Sequence, residues 1–254
     1  MLTFLGSVQR DGNAASTGWA ADQARAAAVH GTRVQILSPD LPALGEGQAE
    51  PDPAEGVEYR HTAGDAAVDD AVSKASTTLV LIPDIDYALL MKAAGAARSS
   101  GQTVVLVLPD MPQWLDMPKL HALLGRTDIL VLRQAELERA VDLLGRDMLG
   151  ESSTTMEMVA SLAYWASFGV IATDGREGAV YAEGENAPTR YLSPDGHSLA
   201  DSRVFNMFAG ALAASLPEHG LPDAIRYALD AVGQRLRADG TPSAPKAADI
   251  VLRS

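Results

Sequence analysis

The feature that most constrains the fold is an alternation of apolar, strand-like runs with alanine-rich, helical stretches along the whole chain. Such alternation is typical of a largely parallel sheet with helices on its faces, because each parallel strand needs a crossover connection before the next. The pattern predicts strands at Leu2–Ser7, Thr32–Leu37, Thr77–Ile82, Thr103–Leu108, Ile129–Leu132 and Val170–Thr173. It predicts helices at Gly18–Val29, Gly64–Lys74, Tyr87–Ser99, Ala135–Leu144, Thr154–Phe168, Asn206–Leu216 and Pro222–Ala238.

Two further segments complete this outline. Glu177–Tyr181 and Thr189–Leu192 are short strand-like runs that predict a hairpin, so the sheet should end in antiparallel strands. Pro39–Gly56 is rich in proline, glycine and acidic residues, which indicates a loop and not a domain linker. A chain of 254 residues is expected to form one large α/β domain over residues 1–254.

Composition narrows the function classes. The mean hydropathy is +0.01, no apolar run is long enough to span a bilayer, and Met1–Gly6 lacks the basic and long apolar regions of a secretory signal. We therefore expect a cytoplasmic protein with no membrane partner. The absence of cysteine excludes disulfides, thiolate zinc sites and a cysteine nucleophile. A net charge of −13 argues against nucleic acid as a partner and favours a small-molecule ligand.

Two segments near the N-terminus place polar residues beside glycines. Gly6–Asp11 closes the first predicted strand, and Gly18–Ala24 opens the first predicted helix. Taken alone, these are a strand end and a glycine at a helix start. Their order and spacing resemble the opening of the ribokinase (PfkB) family of carbohydrate kinases, whose aspartate, glycine-rich turn and Asn-Gln-Ala helix start hold the sugar. The resemblance places Asp11, Gly18 and Asp22 in a substrate site, with Asp22 in place of the family's asparagine.

Two later strand ends also resemble this family. Asp84 stands where ribokinases often carry another sugar-contacting acid, although capping of the next helix explains it equally well. Thr127–Glu136 resembles the strand that enters the family's Asn-x-x-Glu motif, which helps to organise Mg²⁺ and phosphate. Glu136 is retained, and Arg133 replaces the asparagine. Arg133 either binds phosphate through its planar guanidinium or pairs with Glu136 or Asp128.

A glycine-rich segment follows between two predicted strands. Thr173, Gly175 and Gly178 reproduce the family's Thr-x-Gly-x-x-Gly, in which the glycines allow close backbone approach to nucleotide phosphates and the threonine offers a hydroxyl. The alternative is a glycine-rich hairpin with no ligand.

The family's catalytic signature is present in altered form. Ribokinases carry Asp-Thr-x-Gly-Ala-Gly-Asp-x-Phe before a helix, where backbone N–H groups bind the phosphate and the last aspartate deprotonates the sugar. Phe208 and Gly210 hold the register, which places Asn206 on the catalytic aspartate. Arg203–Phe205 then replace the glycine-rich anion hole, and Arg203 becomes a candidate phosphate ligand. Because an amide cannot act as a general base, the motif has lost its phosphoryl-transfer chemistry.

The resemblance extends to the C-terminus with two deletions. Ala224–Ala228 through Gly240–Pro245 resembles the helix and Gly-x-x-x-x-x-Pro ending around the family's adenine pocket, although Leu229 replaces a common polar neighbour of adenine. Only Gly12–Thr17 separates Asp11 from Gly18, and the region after Leu37 is also short. We therefore expect the strands that form the family's lid over the sugar to be absent.

These observations predict a ribokinase-like three-layer α/β/α sandwich, with a mostly parallel sheet, no lid strands and a ligand cleft at the C-terminal edge of the sheet. One functional hypothesis is a pseudokinase that binds a sugar, a nucleoside or a phosphorylated ligand. The other is a working ATP-dependent carbohydrate or nucleoside kinase with a displaced base, for which Asp201 and Asp195 are candidates. The resemblance implies ATP and Mg²⁺ as cofactors, and the altered signature argues against both.

The resemblance also implies a geometry for the site. Asp11, Asp22 and Asp84 should lie on one wall of a single cleft, because all three fall at strand ends or helix starts. Arg133 and Arg203 should border the same cleft and bind phosphate without a metal. The five histidines have no metal-ligand spacing, so we expect no metal site in the protein itself. The oligomeric state is left open.

Overall fold

The computed structural model describes residues 1–8, 18–39, 50–52, 57–61, 68–69, 72, 77–145, 154–175, 177–193 and 196–239. Within these residues, ten strands form one sheet in the order β10-β9-β8-β7-β6-β5-β1-β2-β4-β3. Their bounds are β1 Leu2–Leu5, β2 Val34–Ser38, β3 Glu50–Asp52, β4 Val57–His61, β5 Thr78–Leu81, β6 Thr103–Leu108, β7 Ile129–Arg133, β8 Gly169–Thr173, β9 Ala179–Glu183 and β10 Thr189–Tyr191.

Seven strands, from β8 to β4 in the sheet order, run parallel to one another. Antiparallel strands stand at both edges, where β3 pairs with β4 and where β9 pairs with β8 and β10. Every residue of β1, β2, β5 and β8 is buried. Burial on both faces explains why these strands are nearly continuous apolar runs in the sequence.

Helices cover both faces of the sheet. The structure describes α1 Trp19–Ala28, α2 Tyr87–Ser99, α3 Met117–Leu124, α4 Gln134–Leu144, α5 Thr155–Ala166, α6 Ser202–Ser215 and α7 Leu221–Ala238. α1, α6 and α7 contribute to the apolar core on one face, and α2 to α5 contribute to the core on the other. The result is the three-layer α/β/α arrangement that the sequence predicts.

Several helix starts are set by local capping. The Asp86 carboxylate accepts the first free N–H groups of α2, and Thr154 and Glu157 form a reciprocal capping box at α5. Asp116 caps α3 by accepting the N–H of Lys119, and the side-chain hydrogen bond from Lys119 lowers the pKa of Asp116. Each cap satisfies N–H groups that the helix itself leaves unpaired.

Helix α6 lies between α1 and α7, and most of its residues are buried. Gly210 stands at its closest approach to α1. A Cβ at this position would collide with the backbone oxygen of Gln23 and lie 2.6 Å from the Cβ of Ala26. The two helix backbones can therefore approach this closely only because residue 210 has no side chain.

The structure differs from the sequence predictions in four places. β3 lies inside the predicted loop, and β4 and α3 were not predicted. α6 begins at Ser202 instead of Asn206, because Asp201 caps it one turn earlier than the motif alignment implies. The predicted helix Gly64–Lys74 lies mostly outside the described residues, of which Val68, Asp69 and Val72 are helical.

All ten described strands belong to the one sheet, so none of them forms a second sheet over the strand ends. Gly12–Thr17 and much of the region after Leu37, on which the predicted absence of lid strands rests, lie outside the described residues, so that absence stays a prediction. Among the described residues, no helix combines the length and the apolarity that crossing a bilayer requires.

Candidate functional site

Five parallel strands, β1, β5, β6, β7 and β8, end at the same edge of the sheet, and polar residues follow several of these ends. A cavity of about 580 Å³ opens there, which we call the edge pocket. Its lining includes Trp19, Arg133, Glu136, Arg139, Thr173 and Ser202. A cleft outside the carboxyl ends of parallel strands is the usual ligand site of an open α/β sheet.

Arg133 is held in place by an acidic partner. Its Nε donates to Glu136 Oε2 at 2.9 Å, and its Nη2 donates to Glu136 Oε1 at 3.0 Å. Its Nη1 reaches Ser202 Oγ at 3.3 Å, at the start of α6. The Glu136 side chain is 2% exposed, so this is a nearly buried bidentate pair. The structure shows Arg133 paired with Glu136, which is one of the alternatives that the sequence predicts for this residue.

The charged side chains that line the edge pocket disfavour the binding of phosphate. Arg139 lies 3.3 Å from Asp110 Oδ1 and 3.8 Å from Glu136 Oε1. The described lining contains two arginines, Arg133 and Arg139, and three carboxylates, Asp110, Glu136 and Glu138. Because the three carboxylates outnumber the two arginines, a polyphosphate would meet a net negative charge in this pocket.

The N-terminus of α6 is covered by the chain itself. The Asp201 side chain accepts the backbone N–H of Arg203 at 2.9 Å and that of Val204 at 3.2 Å. Asp201, one of the two displaced-base candidates, is therefore the N-cap of this helix. Val204 and Phe205 are 8% and 0% exposed and pack into the core. A carboxylate therefore occupies the N–H groups at this helix start, whereas Val204 and Phe205, which were predicted to fill an anion hole, pack into the core.

Asn206 lies in the contact between α1 and α6. Its Oδ1 accepts a hydrogen bond from Gln23 Nε2 at 3.2 Å, and its Nδ2 is 3.5 Å from Asp22 Oδ2. The residue is 3% exposed, and Asp22 in turn pairs with Arg25 at 3.0 Å. Asn206 therefore joins two helices through its amide, and the edge pocket does not include it among its described lining residues.

The threonine and the glycines of the Thr-x-Gly-x-x-Gly segment have separate roles. Thr173 is 1% exposed, ends β8 and lines the edge pocket with Gly175, and its Oγ1 has no hydrogen-bond partner among the described residues. Gly178 has φ +108°, and a Cβ there would collide with the Tyr191 carbonyl oxygen. Thr173 thus leaves a buried hydroxyl without a partner behind the pocket wall, while Gly178 is required by the packing of the β9–β10 hairpin.

Asp84 and Gly18 stand beside the end of β1. Asp84 Oδ1 accepts the backbone N–H of Ser7 at 2.8 Å. The residue is exposed and lines two smaller cavities, of about 120 and 490 Å³. Trp19 lines the smaller of these as well as the edge pocket. Gly18 has φ +120° and lets α1 start against Ser7, whose carbonyl oxygen would lie 3.0 Å from a Cβ. Asp11 and Asp195 lie outside the described residues.

A larger cavity, of about 840 Å³, lies between α1, α6 and α7. We call it the helix groove. Asp22, Asn206 and Arg203 line it, whereas Arg133 lines the edge pocket and Asp84 lines the smaller cavities. The structure does not bring Arg133 and Arg203, or Asp22 and Asp84, to one wall, because Arg203 and Asp22 lie among the three helices. Arg203 instead pairs with Asp239 at 2.7 Å.

Sequence reasoning missed eight of the twelve described residues that line the edge pocket, among them Trp19, Asp110, Arg139 and Ser202. Two of them carried a usable signal. Asp110 follows Pro109 directly after a predicted strand, as Asp84 follows Pro83. Arg139 is three residues after Glu136 on a predicted helix, a spacing that brings side chains together.

The fold is the ribokinase-like α/β/α sandwich, as predicted. Neither a family model nor a curated protein matches the sequence. Solved structures do match. A ribokinase from Thermotoga maritima aligns with 100% of this chain and with 99% of its own length, at 15% identity and TM-score 0.64. For phosphofructokinase-2 from Escherichia coli the alignment spans 93% of this chain and 94% of that protein, at 16% identity and TM-score 0.65. For adenosine kinase from Anopheles gambiae it spans 93% of this chain and 98% of that protein, at 12% identity and TM-score 0.70.

Proposed function

We propose that this protein is a ribokinase-fold pseudokinase that binds a neutral sugar or nucleoside in the edge pocket and does not transfer phosphate. The observation that carries the proposal is the position of the Asp201 carboxylate. It accepts the N–H groups of Arg203 and Val204, the donors that a transferring phosphate would need at this helix start. A phosphate entering there would meet a negative charge in place of free donors.

The expected cost to catalysis is large. Losing a positioned general base costs roughly 10²–10⁴-fold in rate. Each missing oxyanion donor costs a further ~10²–10³-fold. From the about 1–100 s⁻¹ typical of kinases, turnover falls to the order of 10⁻³ s⁻¹ or slower. Asn206 supplies no base, and its amide is engaged with Gln23.

The ligand class follows from the lining of the edge pocket. Both arginines face carboxylates, so a neutral ligand is favoured over a phosphorylated one. A ligand hydroxyl that reaches the buried Thr173 Oγ1 would supply its missing hydrogen-bond partner, and Trp19 offers an aromatic surface to a sugar ring or base. Among proteins of similar fold, an Arabidopsis thaliana ribokinase is complexed with ribose and ATP, at 15% identity and TM-score 0.61 over 91% of this chain and 90% of its own.

The first experiment is an ATP-consumption assay over a panel of sugars and nucleosides with Mg²⁺. It compares the wild type with Asn206→Asp and with Asn206→Asp combined with Asp201→Ser. We expect no turnover above about 10⁻³ s⁻¹ in the wild type or in Asn206→Asp, since the carboxylate still covers the helix start. Wild-type turnover near 1 s⁻¹ on any substrate would refute the pseudokinase.

The second experiment measures binding by calorimetry, with ribose, adenosine and ATP as probes. We expect ribose or adenosine to bind and ATP to bind more weakly than adenosine. Thr173→Val removes the hydroxyl at nearly constant shape and should weaken binding about tenfold. Thr189→Val, on the exposed edge strand β10, is the matched control and should change nothing. Tighter binding of ATP than of adenosine would contradict the proposed ligand class.

The alternative is a working kinase with Asp201 as the displaced base. One observation favours it: the neighbours of Asp201, Ala200 and Ser202, both line the edge pocket. In that case the wild type turns over a sugar or nucleoside, and Asp201→Asn abolishes turnover while keeping most of the helix cap, because asparagine is also a good N-cap residue.

A further inference from the structure

The helix groove has a defined direction. Asn206 of α6 lies beside Asp22 and Gln23, and Gly210 lies beside Ala26, so α1 and α6 run the same way. Asp239 at the end of α7 pairs with Arg203 at the start of α6, so α7 runs the opposite way. The N-terminal end of α6 and the C-terminal end of α7 therefore form one end of the groove.

The two ends of the groove differ in polarity. Arg203, Arg235 and Asp22 stand at the end nearest the start of α6. The lining towards the other end is apolar and comes from all three helices: Val29, Met207, Ala211, Ala231 and Val232. There, Tyr227 Oη lies 2.8 Å from His30 Nδ1 and joins α7 to α1. Burial lowers the pKa of His30, which favours its neutral form at this end.

The charged end has spare donors. Asp239 pairs with Arg203 at 2.7 Å and with Arg235 at 3.5 Å, yet these arginine side chains are 67% and 56% exposed. A guanidinium carries five N–H donors, and one carboxylate cannot use those of two arginines. The described lining has three arginines, of which Arg25 pairs with Asp22 while Arg203 and Arg235 share Asp239, and this leaves an excess of one positive charge on a chain with net charge −13. The groove is thus a locally basic site on an acidic protein.

We propose that the helix groove binds an amphiphilic organic acid, with its carboxylate on Arg203 and Arg235 and its hydrocarbon chain along Val29, Ala211 and Ala231. The wall formed by α1 runs from Asp22 to His30, about 12 Å at the rise of an α-helix. A volume of about 840 Å³ lies within the usual range of small-molecule sites. This site is separate from the edge pocket and does not depend on the function proposed for it.

Head and tail act together in this proposal. The planar guanidinium groups bind a carboxylate through paired hydrogen bonds, and this fixes the orientation of the ligand. The apolar lining then removes the hydrocarbon from water, which adds affinity in proportion to the buried area. A ligand with only one of these parts should bind much more weakly.

The test is calorimetry with decanoate, decanol and acetate at concentrations up to about 1 mM, a range that detects sub-millimolar dissociation constants. We expect saturable decanoate binding at least about tenfold tighter than binding of decanol or acetate. Arg203→Gln combined with Arg235→Gln should reduce decanoate affinity to that of decanol. Ala231→Phe should fill the apolar part and abolish binding.

Two matched variants control for charge and for bulk. Arg226→Gln removes an exposed arginine from α7 that pairs with Asp223 outside the groove, and Ala88→Phe adds a phenyl group at an exposed position of α2, on the other face of the sheet. Both should bind decanoate as the wild type does. Circular dichroism of each variant confirms that it is folded.

Three results would overturn the proposal: no saturable decanoate binding by the wild type, equal binding of decanol and decanoate, or binding that survives both groove variants. An acidic amphipathic peptide that binds the groove while decanoate does not would also overturn it, in favour of a protein-docking surface.

Discussion

The first turn of α6 and its second half are governed by different requirements. The first turn is where the ribokinase resemblance expects bound phosphate, and here Asp201 covers the helix N–H groups. The second half is pressed between α1 and α7, and Gly210 is required there because any side chain would collide with α1. Side-chain packing sets the position of the helix, and Val204 and Phe205 of the first turn take part in it, whereas the capped N–H groups do not. The packing of α6 therefore places no demand on what its first N–H groups bind.

The largest expected effect concerns the second half of α6, which packs against α1. Gly210→Val forces its side chain into the Gln23 carbonyl and Ala26, and overpacking of this kind should lower the free energy of unfolding by about 3 kcal/mol. Gly95→Val on α2 is the control, because nothing lies within 4 Å of a Cβ there, and it should change stability by less than about 0.5 kcal/mol. Urea unfolding measures both. Equal effects of the two substitutions would break the comparison.

The next effect concerns the ion pair that reaches the first turn. Glu136→Gln removes the partner of Arg133, and we expect a loss of about 2 kcal/mol in unfolding free energy. The same change frees the guanidinium, so inorganic phosphate should raise the melting temperature of the variant and not that of the wild type. Glu138→Gln removes the same charge from the same pocket without touching Arg133, and phosphate should not stabilise it.

A smaller effect is expected at the cap itself. Asp201→Ala should cost about 1 kcal/mol, the usual value for an N-cap, and should expose donors to phosphate. Asp86→Ala is a close match, because Asp86 likewise accepts two N–H groups, those of Ala88 and Leu89 at the start of α2. Both variants should lose similar stability in urea, and phosphate should stabilise only Asp201→Ala. Equal phosphate responses would show that the first turn of α6 is an ordinary helix start.

The smallest effect concerns the pH dependence of stability, through His30 at the contact between α1 and α7. Burial lowers the pKa of His30 from 6.5, so the unfolded chain binds this proton more readily than the folded one. Stability should therefore fall as pH decreases below about 6.5 and be unaffected by His30 above it. His30→Gln should flatten this part of the pH profile of the melting temperature. Tyr227→Phe keeps the ring that packs on the half-buried His30 and should retain the slope. A slope unchanged in His30→Gln would show that His30 is not its source.

The central part of the fold could be predicted because its strands are continuous apolar runs. β4 was missed because Val57–His61 carries charged residues, as edge regions with few neighbours can. α3 was missed because Pro118 suggests a break, although proline is well tolerated in the first turn of a helix.

The candidate site was harder to predict. The pairing of Arg133 with Glu136 was among the alternatives, since residues three apart on a helix meet. The cap by Asp201 was missed because the motif alignment started the helix at Asn206. The separation of Arg133, at the end of β7, from Arg203 depends on which face of α6 Arg203 occupies, and a shift of one turn in the helix start is enough to obscure it.

The position of Trp19 has an optical consequence. It lines the edge pocket, whereas Trp114 packs near Tyr87 and Trp165 near His121 on the opposite side of the sheet. Replacing Trp114 and Trp165 by phenylalanine would leave one indole emitter, placed at the strand ends. Its fluorescence would change when a ligand fills the edge pocket and would stay unchanged when an aliphatic acid enters the helix groove. Binding to the edge pocket could then be titrated while the groove is occupied.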